Sequence, residues 1–174
     1  MNLEERQIEW LRLARLRGVG PVLVKRLWEA FGSARAILEA HPSSLAAVEG
    51  IGTIKANQIV ASAPATLAEA REEWARVQAE RFTLLTLEDP RYPPALRTVA
   101  DPLLVLYVRG ELEPGDAVAL GIVGARQCTL YGREQSQRLA GQLSERGFTI
   151  ISGGARGIDT CAHLGALQIG RAHV

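Results

Sequence analysis

At 174 residues and 47% hydrophobic, the chain suits one globular domain or two small ones, and it holds no apolar run long enough to cross a bilayer. Its net charge of +1 excludes a broadly basic nucleic-acid coat: residues 1–80 carry ten basic and ten acidic side chains and residues 81–174 ten and nine, so any polyanion site is local. The charged start MNLEERQIEW has no signal-peptide apolar region and the two cysteines form no disulfide framework, so a cytoplasmic protein without a membrane partner is expected.

The first half repeats itself. LARLRGVGPVLVKRL (13–27) lies over LAAVEGIGTIKANQI (45–59) at an offset of 32, with seven apolar or glycine positions agreeing, which reads as an internal duplication. Each copy is helix, Gly-apolar-Gly turn, helix, a pattern that resembles the helix-hairpin-helix; glycine serves there because the turn needs positive φ and the helices approach closely. The amides around Gly18, Gly20, Gly50 and Gly52 are candidates for a DNA-phosphate contact. Plain packing of the two hairpins is the preferred reading, because basic neighbours are few and Glu49 directly precedes the second turn. Residues 1–63 are thus expected to form a helix-hairpin-helix (SAM-like) domain. SAPATLAEAREEWARVQAER then reads as a linking helix, over 64–80, with Ser62 as a cap and Leu67, Ala70, Trp74 and Val77 as its apolar stripe.

From residue 81 onward strands and helices alternate. FTLLTL (82–87) and LLVLYVRG (103–110) read as strands around a proline-punctuated connection. VALGIVG (118–124) has the continuous apolar character of a strand buried on both faces. YGREQSQRLAGQLSERG (131–147) is amphipathic, with Leu139 and Leu143 on one side and Gly147 placed to end it. FTIISG (148–153) is the next strand and a helix follows from about Ile158. Strand, helix, strand, helix with short loops begins a parallel, doubly wound sheet, so the fold class is α/β: an all-α domain followed by a Rossmann-like parallel-sheet domain over 81–174.

Ligands of such sheets sit beyond the carboxyl ends of the strands, where two loops leave: GARQCT (124–129) and SGGARG (152–157). Each offers glycines, an arginine, a hydroxyl and a helix N-terminus, a composition suited to an anion and most of all to phosphate. Neither a GxGxxG fingerprint nor a Walker A motif is present. Arginine's planar fork suits bidentate phosphate contact.

GIVGARQCTLYG, ISGGARGIDTCAHLGAL and the upstream YPPALRTVADPLLVLYVRGEL are similar to the DNA-processing protein A family (DprA, also called Smf), whose patterns are G-S-R-x-x-[ST]-x-Y-G and S-G-x-A-x-G-I-D-x-x-A-H-x-x-A-L. The resemblance implies a dimeric single-stranded-DNA-binding protein that protects incoming DNA and loads a RecA-type recombinase in natural transformation, with no catalysis, cofactor or metal. By position it places Arg126 at the motif arginine, Thr129 at the hydroxyl position, and Ser152, Gly153, Gly157, Asp159 and His163 in the second motif. Ala125 stands where serine is usual. The family continues into more of the sheet, whereas this text stops at IGRAHV, so the Rossmann-like domain is expected to be incomplete at its C-terminus.

The expected nucleic-acid-binding set is therefore Gly124, Arg126, Thr129, Ser152, Gly153, Gly154, Arg156 and Gly157, supported by Asp159 and His163. Arg126 is read as a phosphate ligand over an ion pair. Arg156 is balanced between phosphate and pairing with Asp159, for which capping or orienting an arginine is preferred to facing a phosphate. Ser152 and Thr129 donate to phosphate or satisfy local backbone. His163 reads as a hydrogen-bonded structural histidine over an acid or base, and Tyr131 either stacks on a base or packs behind its loop. Two rival readings stand beside this one: a nucleotide-processing enzyme like the phosphoribohydrolases, whose Pro-Gly-Gly-x-Gly-Thr loop is absent here, and a duplex-DNA binder acting through residues 1–63.

Overall fold

The duplicated segments fold alike. In the computed structural model, which describes residues 2–170 and the backbone of 172 and 173, α2 (Pro21–Phe31) and α5 (Thr53–Ser62) begin 32 positions apart. Gly18 and Gly50 have φ of +78° and +84°, values that L side chains adopt only under strain. The next glycines, Gly20 and Gly52, are the N-caps of the two helices at φ −90° and −83°. Packing is reciprocal as well. A Cβ on Gly18 would stand 2.6 Å from Gln58 Oε1, and one on Gly50 3.2 Å from Arg26 Nη1; Arg26 and Gln58 are related by the same offset.

Two compact units divide the chain, Met1–Glu111 and Leu112–Val174. The first opens with α1 (Leu3–Leu13), held at its start by a capping box in which Asn2 Oδ1 accepts from Glu5 N at 2.8 Å and Glu5 Oε2 from Asn2 N at 3.2 Å. Between the hairpins lie the short α3 (Ala34–Leu38) and α4 (Pro42–Ala46). Trp10, Leu13, Val24, Leu27, Ile37, Leu45, Ile51 and Ile59 form the core, where truncating a residue such as Leu27 to alanine costs about 2–5 kcal/mol.

The boundary expected at 80/81 lies instead after Glu111. Two packing facts explain this. The helix read as a linker, α6 (Thr66–Ala79), buries Ala70 and Val77 against Leu11 of α1. β1 (Thr83–Thr86) and β2 (Val105–Val108) pair antiparallel as a sheet of their own, apart from the later strands. Around them Leu85, Leu87, Tyr92 and Leu104 join the helical core, with α7 (Pro94–Arg97) between the strands. Ser62 is not a cap for α6: it ends α5 and donates to Ile59 O at 3.1 Å.

Unit two is a parallel sheet, β3 (Ala119–Gly121), β4 (Thr149–Ile151) and β5 (Ala172–His173), in that spatial order, preceded by a 3-10 turn at Pro114–Ala117. α8 (Leu130–Glu145) and α9 (Ile158–Leu167) cover one face around Ala140, Ile150, Ala162 and Ala166. Successive right-handed crossovers in one direction place both helices on that face. The run 118–124, expected to be buried on both faces, instead leaves Leu120 39% and Val123 77% exposed. Leu139, expected beside Leu143 on the packed side, is 50% exposed; Leu143 packs and Leu139 does not.

Candidate nucleic-acid interface

β3 and β4 are parallel neighbours, so the loops that follow them leave the same sheet edge side by side. Three contacts lock the loops together. Ile122 N donates to Ile151 O at 3.0 Å and Ile158 N to Ala125 O at 3.3 Å. Ser152 Oγ donates to Ile122 O at 2.7 Å. The tightest approach is at Gly157, φ +90°, where a Cβ would stand 2.3 Å from Ala125 O and 2.6 Å from Arg126 O. Gly124 makes room for a side chain, with Ile158 Cγ1 2.7 Å from its missing Cβ. Gly157 brings backbone together, and Gly124 admits Ile158 between the loops.

What the juxtaposition creates is an open groove of about 690 Å³, lined by Arg126, Gln127, Arg133, Arg156, Gly157, Thr160, Cys161 and Leu164. Among the described residues no carboxylate lines it. Unit two has two other arginines among the described residues, and both are engaged: Arg138 Nη2 donates to Gln135 Oε1 at 2.6 Å and Arg146 Nη1 to Gln142 O at 2.8 Å. The side chains of Arg126, Arg133 and Arg156 have no hydrogen bond or ion pair among the described residues. Three uncompensated guanidinium groups beside the first turns of α8 and α9 make a field suited to an anion.

The sequence-expected residues fall into distinct places. Arg126, Arg156 and Gly157 line the groove, while Gly124 sits behind it as a packing contact. Thr129 is the N-cap of α8, its Oγ1 accepting from Gly132 N at 3.1 Å, which leaves the hydroxyl proton free to donate. Ser152 is buried and its proton is spent on Ile122 O, so it does not face a ligand. Gly153 and Gly154 are exposed in the second loop but do not line the groove.

Asp159 is 6% exposed and turned toward Gly153, its Oδ2 lying 3.0 Å from the position of a Cβ there. Its pairing with Arg156 is not formed, and it makes no side-chain cap. Among the described residues Asp159 Oδ1 and His163 Nε2 are both buried without a hydrogen-bond partner, so the hydrogen-bonded structural histidine expected at 163 has that nitrogen unsatisfied there. Tyr131 is 71% exposed and does not pack behind its loop. Among the described residues no cluster of His, Cys, Asp and Glu could hold a metal ion, and no helix is long and apolar enough to cross a membrane.

Sequence reasoning missed Arg133. The signal was present: it lies in the first turn of α8, which holds no acidic residue, and a lone cation there opposes the helix dipole unless an anion faces it.

Residues 83–174 match the family model described as DNA recombination-mediator protein A. The chain belongs to the DNA recombination-mediator protein A family. Residues 11–63 match the SAM-like helix-hairpin-helix tandem, in keeping with the repeat. Among curated relatives, Protein Smf of Synechocystis sp. is 34% identical over 171 residues, covering 94% of this chain and 42% of that protein. Protein Smf of Escherichia coli is 40% identical over 86 residues, covering 49% of this chain and 23% of that one. DNA processing protein DprA of Streptococcus pneumoniae is 33% identical over 91 residues, covering 52% and 32%. The chain therefore spans less than half the length of these relatives. An X-ray structure of DNA processing protein A from S. pneumoniae superposes with a TM-score of 0.64 at 22% identity, over 94% of this chain and 54% of that one, which establishes the shared fold. In this recombination-mediator family member, the groove lies within the segment matched by the family model.

Proposed function

We propose that the groove of unit two holds the backbone of single-stranded DNA. On this reading the protein shields incoming strands and delivers them to a RecA-type recombinase in natural transformation, working without a cofactor and, at full length, as a homodimer. The observation that carries the reading is a set of three guanidinium groups, unpaired among the described residues, in a groove that no described carboxylate lines. Family membership supports the recombination role. Three guanidinium groups in one groove suit a chain of phosphates better than one nucleotide. Backbone contact also explains why no base-reading element is needed: phosphate contacts supply affinity without sequence information.

Arg126→Ala tests this. Binding of a labelled oligothymidylate, followed by fluorescence anisotropy across a KCl series, is expected to weaken, with the slope of log K against log[salt] shallower by about 0.7, the value for one lost phosphate contact on a single strand. Unchanged affinity and slope would count against the groove. Turnover of a nucleoside monophosphate with no oligonucleotide affinity would favour the phosphoribohydrolase-like alternative.

A further inference from the structure

Arg133 stands apart from the loop arginines because it comes from a helix and was placed in the groove by the fold. Its neighbours three and four residues away are Thr129, Leu130, Ser136 and Gln137, none of them acidic, so α8 offers it no ion pair of the usual spacing. Thr129 is engaged as the N-cap and Ser136 Oγ donates to Ile158 O at 2.9 Å. Arg138, on the same helix but outside the groove, does have a local partner in Gln135. The difference tracks the groove.

We infer that Arg133 is a third phosphate-contacting residue, which with Arg126 and Arg156 makes the groove a track for an oligonucleotide backbone and not a pocket for one nucleotide. This rests on the single-strand reading of the groove. The two loop arginines occupy the ends of neighbouring strands, and Arg133 extends their charge along the first turn of α8. The lining that α9 contributes, Thr160, Cys161 and Leu164, is uncharged. A single strand presents both phosphates and unstacked bases, so a lining that combines guanidinium groups with uncharged side chains suits it.

The test uses the 174-residue chain and compares Arg133→Gln, Arg133→Lys, Arg126→Ala and Arg138→Gln in the same anisotropy titration, with far-UV circular dichroism confirming the fold. Arg133→Gln is expected to weaken oligothymidylate binding roughly three- to tenfold at moderate salt and to flatten the salt slope by about 0.7. Arg133→Lys keeps the slope, and Arg138→Gln leaves both quantities unchanged. Thymidine monophosphate competes poorly against wild type. If Arg133→Gln behaves as wild type while Arg126→Ala weakens binding, the inference is overturned and the groove reading stands. If neither variant changes binding, or the chain takes up no oligonucleotide, the groove reading falls and this inference with it.

Discussion

Gly157 is the residue on which the groove depends, because the two loops approach there more closely than any side chain allows. Gly157→Ala combines a positive φ with a Cβ placed 2.3 Å from Ala125 O, and is expected to destabilise unit two by about 2–4 kcal/mol through strain and overpacking. Gly147→Ala is the matched control: its φ is +92° but no described atom lies within 4 Å of a Cβ there, so the cost should be near the roughly 1–2 kcal/mol of the left-handed region alone. Urea denaturation of both variants, followed by circular dichroism, checks the order; equal costs would mean that the loop contact is soft. In unit one, Tyr107 Oη donates to Glu73 Oε1 at 2.5 Å while Glu73 also pairs with Arg15. Burial, then the Glu73 carboxylate, pushes the phenol up to about 12. An unfolded chain releases that proton near the ordinary value of about 10, so the native state holds more protons between the two. The contribution is therefore complete below about pH 10 and lost as pH rises toward 12. Tyr107→Phe should flatten the alkaline decline in melting temperature; an unaltered decline would assign it to other groups.

At the scale of elements, the closest helix pair is α8 with α9, and small residues make it so. A Cβ on Gly165 would stand 2.1 Å from Gln137 O, whereas one on Gly141 would meet Gly165 O at an ordinary 3.5 Å. Gly165→Ala is thus expected to destabilise by about 1–3 kcal/mol, while Gly141→Ala should be neutral or stabilising by up to about 1 kcal/mol, the helix-propensity gain. Thermal melts of the two variants test this opposition of sign. Much at this scale was readable beforehand. The offset-32 repeat is a property of spacing alone and needs no tertiary information, so both hairpins and their glycines were legible. The strands of residues 82–110 were legible as strands but not as partners. An apolar run in a parallel sheet and one in an antiparallel hairpin packed on helices read alike, which is why the unit boundary lies after Glu111 and not near residue 80. That Arg126 and Arg156 line the groove is legible because glycines mark their loops. The place of Arg133 in the groove is not legible in the same way, because it sits inside a helix whose sequence signal is its apolar stripe. Ser152 was misplaced because a motif gives a residue's position and not the direction of its hydroxyl, which here is toward Ile122 O.

For the whole molecule, near-neutral net charge and a local basic groove belong together. A chain of net charge +1 with twenty basic and nineteen acidic residues has little long-range attraction for DNA, so the proposed affinity would have to be concentrated where cations lack partners. In unit one most arginine side chains are paired, among them Arg6, Arg15, Arg26, Arg35 and Arg91. In unit two the unpaired ones gather at the sheet edge. The hairpins of unit one pack against each other through Gly18 and Gly50, an arrangement that supports their structural reading. Which surface meets DNA is settled most directly by hydrogen exchange of the whole chain with and without an oligothymidylate. The account predicts slowed exchange over residues 122–133 and 152–164 with little change at residues 18–20 and 50–52. Protection confined to the two hairpins, with the loops of unit two unaffected, would contradict it.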